Sequence, residues 1–164
     1  MTAYAESTST PLAHAHPVSM WAYTWHGVRA GLLGALSIAL WFFFLDYSHG
    51  RPLYTPTLLG TTLMGGGGIL PPALTFSLVH TAVFILIGIA AARLVGMIEE
   101  GELRRLGLAA ILLFVILDLG FSAFALTARA IGLEALYWPD VLLGNAIAAA
   151  VMMTYLWRRR PHAA

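Results

Sequence analysis

Apolar residues in this chain gather into four stretches long enough to cross a bilayer, and polar residues collect between them. A hydrocarbon core about 30 Å thick needs roughly 20 apolar residues at about 1.5 Å of helical rise each. The first stretch covers residues 28–47 and carries Trp41, Phe42, Phe43 and Phe44. The second covers 73–98, behind Pro71 and Pro72, which suit a first helical turn. The third covers 106–128, and the fourth covers 141–157 behind Pro139 and Asp140, with Asp140 the expected N-cap. The pattern predicts an all-α integral membrane fold: one four-helix transmembrane domain over residues 28–160, with polar tails at 1–27 and 161–164.

Composition agrees with this reading. Of the 164 residues 59% are apolar and 10% charged, far below the roughly 25% charged usage of soluble domains. Mean hydropathy is +0.79, too apolar for a soluble surface. A net charge of +1 is too small to neutralise the phosphates of a nucleic acid, so no nucleic-acid partner is expected. The absence of cysteine excludes disulfides, thiolate metal sites and Cys nucleophiles.

All nine basic residues are arginines, and their placement predicts orientation. Arg29, Arg93, Arg104, Arg105, Arg158, Arg159 and Arg160 fall on one side of the predicted bundle, and only Arg51 and Arg129 on the other. The positive-inside rule then puts both termini in the cytoplasm of a bacterial inner membrane. Aromatic belts match, with Trp21, Tyr23, Trp25, Tyr155 and Trp157 inside and Tyr47, Tyr54, Tyr137 and Trp138 outside. The first twenty residues lack the basic n-region of a secretory signal peptide, so cleavage is not expected. Glu99, Glu100 and Glu102 with Arg104 and Arg105 read as a solvated cytoplasmic turn.

Between spans one and two, Thr55 before Pro56 signals a helix start, and the four glycines from Gly65 end it. A short helix along the outer interface is predicted near residues 56–64. Prolines follow the glycines where a phosphate-cradling loop needs Lys and Ser or Thr, which excludes a P-loop. Arg51 lies near Asp46 and is expected to pair with its carboxyl, stapling the loop to span one. Gly50-Arg51-Pro52-Leu53-Tyr54-Thr55-Pro56, followed by Leu58-Leu59-Gly60, resembles the signature of a set of uncharacterised small bacterial membrane proteins. The resemblance covers most of residues 27–160. It implies four spans, an aromatic-Asp end to span one, a His in span two and a Gly-Asn in span four, and it assigns no activity.

Small residues recur at four-residue spacing, the pattern that lets membrane helices approach closely. Gly27, Gly31, Ala35 and Ala39 form such a row in span one, Gly88, Ala92 and Gly96 in span two, and Gly144 with Ala148 in span four. Intramolecular packing is the expected use. Phe42-Phe43-Phe44-Leu45-Asp46 echoes Phe114-Val115-Ile116-Leu117-Asp118, too short a match to establish a duplication.

His80 and Asp118 are ionisable residues inside the apolar stretches, and such residues cost enough in hydrocarbon to count as candidate sites. Depth counting puts both in the outer half of the bundle, with Asn145 slightly shallower, and Ser77 and Ser122 on the same helix faces. A hydrogen-bonded His80–Asp118 pair supported by Asn145 is the expected arrangement. His14 and His16, with Met20 and His26 nearby, form a weak metal-binding pattern. No cofactor is predicted; a metal or a chlorophyll-type pigment at His80 is the alternative.

Three functions follow. The leading expectation is a non-catalytic accessory or structural subunit of a larger bacterial inner-membrane complex, of photosynthetic or respiratory type, with lipids and other membrane subunits as partners. The second is a small proton-coupled transporter using the His80–Asp118 pair. The third is a pigment- or metal-binding membrane protein acting through His80.

Overall fold

The computed structural model describes residues 20–64, 69–98, 103–130 and 137–159. These residues form five helices: α1 (Met20–Ser48), α2 (Tyr54–Met64), α3 (Pro72–Gly96), α4 (Leu103–Ala130) and α5 (Trp138–Arg158). Four of them, all but α2, are long and apolar enough to cross a membrane. The chain is thus an all-helical, multi-pass membrane protein, with a short helix after the first span. The glycine run 65–68, the acidic turn 99–102, His14 and His16 lie outside the described residues.

Two helix starts differ from expectation. Helix α1 begins at Met20 rather than near residue 28, so Trp21, Tyr23 and Trp25 belong to the helix and not to a polar tail. Its 29 residues extend about 44 Å, longer than a hydrocarbon core, which leaves its ends for the interface. Helix α5 begins at Trp138 with Tyr137 as the N-cap, so Asp140 lies inside the first turn and is not the cap. A carboxyl there still complements the positive end of the helix dipole.

Helix α1 is the hub. It packs along α3 on one side and α5 on another, while α4 leans on α5 and α2 lies against α3. Helices α3 and α4 scarcely meet. The α1–α3 seam is backbone against backbone. A Cβ at Gly31 would strike the Phe84 carbonyl and come within 2.6 Å of the Ile85 Cα, and one at Gly88 would lie 2.8 Å from the Gly31 Cα. Gly27 faces Ile89 in the same way. Such an approach lets dispersion act along the whole seam without lipid between the helices.

Other small residues serve other neighbours. Gly34, outside the four-residue row, admits the side chain of Met152, which is fully buried. Gly96 faces the Tyr23 ring, and Gly60 of α2 lies against the Pro72 backbone. Ala39 ends the predicted row yet is exposed. Two polar ties bracket the α1–α5 seam. The Trp41 indole N–H donates to the Asp140 carbonyl at 2.9 Å, and His26 Nδ1 lies 3.3 Å from the Tyr155 hydroxyl.

Replacing Gly88 by Leu should therefore cost at least about 1–3 kcal/mol, the usual penalty of overpacking. Gly107→Leu, where a Cβ meets nothing within 4 Å, should stay within about 0.5 kcal/mol of wild type. Reversible unfolding in mixed micelles measures both, and equal losses would mean that the seam is not where α1 and α3 touch.

Candidate functional site

The polar residues fall into two groups, one at the α1–α2 corner and one at depth. At the corner, α1 ends in a Schellman turn. The Gly50 N–H donates to the Tyr47 carbonyl and the Arg51 N–H to the Asp46 carbonyl, each at 2.9 Å. Gly50 takes the left-handed region at φ +68°, where a side chain is costly. Leu53 follows at φ +66°, the one non-glycine residue with positive φ among the described residues. That conformation costs an L-residue about 1–2 kcal/mol, so its surroundings must hold it.

On both sides of Leu53 the chain is tied to Asp46, at Arg51 and at Thr55. The Asp46 side chain is 6% exposed, and its two oxygens accept the backbone N–H and the hydroxyl of Thr55, each at 2.7 Å. Thr55 lies in the first turn of α2, where the N–H groups have no partner within the helix. The staple predicted between the loop and span one therefore exists, but its partner is Thr55. The Arg51 guanidinium instead lies over the Tyr54 ring, 4.3 Å from the centroid. The reason is that a helix start supplies two donors at one point, while Arg51 is tied to Asp46 only through its backbone N–H.

At depth the predicted cluster divides. Asn145, buried on α5, donates from Nδ2 to Asp118 Oδ1 at 3.4 Å, joining α5 to α4. No hydrogen bond among the described residues joins His80 to Asp118, and His80 Nε2 is enclosed without a partner. Equal depth did not bring the two together, because α3 is packed on α1 and α4 on α5. The His80 ring stacks on Phe76 at 5.4 Å between centroids and meets Phe84 in a tilted contact at 4.6 Å. Ser77 donates to the Ala73 carbonyl and Ser122 to the Asp118 carbonyl, each at 2.7 Å, so both hydroxyls serve their own helices.

Between the two halves of the bundle opens a groove of about 800 Å³. Phe42 and Phe43 of α1, Phe76 and Val83 of α3, and Ile116 and Phe121 of α4 form its walls, with Leu53 and Leu63 at the α2 end. His80 and Asn145 border it. No family model, curated protein or solved structure matches the chain. The site must therefore be read from its own chemistry.

That chemistry is apolar. Its volume falls in the range of small-molecule sites, about 300–1,000 Å³. A metal or pigment on His80 would need a ring nitrogen turned to the groove, whereas Nε2 is enclosed. Among the described residues no three His, Asp or Glu side chains converge to hold a metal. The bonds of Thr55 to Asp46 and of Trp41 to Asp140, and the close approach of Met152 at Gly34, escaped the sequence reading. Only Thr55 carried a visible signal, as a double donor at a helix start just past a buried-side Asp.

Thr55→Val should cost about 1–3 kcal/mol by leaving one buried Asp46 oxygen unpaired, against about 0.5–1 kcal/mol for Arg51→Ala. Melting curves of the two variants decide between the Thr55 clasp and an Arg51 staple; the reverse order would restore the staple. A double-mutant cycle on Asp118→Ala and Asn145→Ala should give a coupling of about 0.6–2 kcal/mol, and a zero coupling would dissolve that pair.

Proposed function

We propose that the protein is a non-catalytic accessory subunit of a larger bacterial inner-membrane assembly, with both termini in the cytoplasm. The observation that carries this reading is the unequal burial of the spans. Only 17% of the α4 span is buried within the chain, against 44% of the α5 span. Leu108, Ile111, Leu112, Val115 and Leu119 of α4 are all exposed. Helix α4 is held along one side by α5, and the apolar surface on its other sides is the face that a neighbouring subunit would cover in place of lipid.

The polar side chains support the same role. Asp46, Asn145 and Trp41 are engaged in holding one helix to another, which is the work of a scaffold. A proton-coupled carrier would pass its proton between His80 and Asp118, and the two stand on helices that scarcely meet. The arginine asymmetry supports the orientation.

Gentle extraction from the native membrane, followed by light scattering on the eluted particle, tests the reading. The expected result is a particle well above the 17.7 kDa chain that contains other polypeptides. The double variant Ile111→Ala, Leu119→Ala should release the chain from that particle while its helix content is kept. A wild-type protein that runs alone, or as a dimer of itself, would remove the subunit assignment.

A further inference from the structure

The groove has a definite depth. On α1 its lining residues run from Leu32 to Phe43, and on α3 from Phe76 to Ile87. Each interval rises about 16 Å, close to half of a hydrocarbon core about 30 Å thick. It begins at Leu53 and Pro56, beside the interfacial α2. Its length is thus that of one leaflet, measured from the headgroup level inward.

Its walls would strip water from anything within. Of the polar side chains along it, Thr55 is bonded to Asp46, Asn145 to Asp118 and Ser77 to its own helix, while His80 keeps its Nε2 enclosed. The contents must be methylene-like.

At the shallow end stands a cation held in place. The Arg51 guanidinium rests on Tyr54, and its backbone is fixed by the Schellman turn. Arg51 is exposed, and an aromatic face rather than a carboxyl engages it, which leaves its N–H fork for an anion. Two residues on, Leu53 is held at φ +66°, and its side chain lines the groove mouth. Strain of this kind in a non-glycine residue gathers at ligand clamps.

We propose that the groove holds one chain of an anionic amphiphile of the leaflet beside α2, with its phosphate head on Arg51. The site is independent of the subunit reading, since α4 contributes only its inner face to the groove.

The test uses the full chain in an uncharged detergent, with three probes. These are dioleoyl phosphatidylglycerol, dioleoyl phosphatidylcholine with the same chains, and inorganic phosphate. Native mass spectrometry reads bound lipid, and melting temperature reads protection. Wild type should retain the anionic lipid about fivefold more than the zwitterionic one, the value of one arginine near an anionic surface. Arg51→Gln should equalise the two lipids. Gly120 borders the groove where a Cβ meets nothing within 4 Å, so Gly120→Phe should fill it without harming the fold and lower retention of both lipids. Ala39→Phe on the facing wall repeats that block. Equal retention by wild type, a preference that survives Arg51→Gln, or filled variants that bind as wild type would each overturn the site. Protection by inorganic phosphate alone equal to that by the lipid would overturn the role of the groove.

Discussion

The bundle depends on the contact of α1 with α3 at Gly27, Gly31 and Gly88, where two backbones touch without side chains between them. In lipid no hydrophobic force drives helices together, so packing and hydrogen bonds must hold them. Once α3 is bound to α1 along this seam, the rest follows by exclusion. Helix α5 takes another side of α1, with Met152 entering at Gly34, and α4 rests mainly on α5. The groove is what remains between α3 and α4. It is a consequence of where the glycines lie rather than of any residue that lines it.

The second constraint is the clasp of Asp46 on Thr55. One residue uses its carbonyl to end α1 and its side chain to begin α2, so the corner has little freedom. Burying a carboxyl is costly unless its oxygens are bonded, and here both are, to donors that also needed acceptors. The clasp sets α2 against the start of α3 at Gly60 and so fixes the shallow end of the groove. Holding Leu53 in a left-handed conformation is the local cost of that placement.

Much of the architecture was legible in the sequence, because an apolar run of twenty residues has one meaning in a chain with so few charges. The short α2 was legible from Thr55, Pro56 and the glycine run. Boundaries were less so. Helix α1 runs back through Trp21 to His26, since aromatic and polar residues at an interface lower the hydropathy without ending a helix. The polar site was half legible. Residue counting put His80, Asp118 and Asn145 near one depth, but depth along an axis says nothing of rotation about it or of which helices are neighbours. Asn145 reached Asp118 because α4 and α5 are adjacent, and His80 did not because the groove lies between. Charge suggested Arg51 for Asp46, and the unmet N–H groups of a helix start prevailed. Spacing did separate two glycines: Gly31 stands in a four-residue row of small residues and meets a backbone, while Gly120 stands in no such row and borders open space.

The bundle is split, with α3 bound to α1, α4 bound to α5, and an open apolar groove between α3 and α4. The chain has no cysteine, so a single introduced pair can report on that gap. Ser77→Cys on α3 with Gly120→Cys on α4 places two thiols on facing walls of the groove. In native-like membranes the pair should resist direct oxidation to a disulfide, which needs Cα atoms closer than about 7 Å, yet be joined by a bifunctional maleimide with a spacer. Rapid disulfide formation without a spacer would mean that α3 and α4 close on each other, and would contradict the groove and the account built on it.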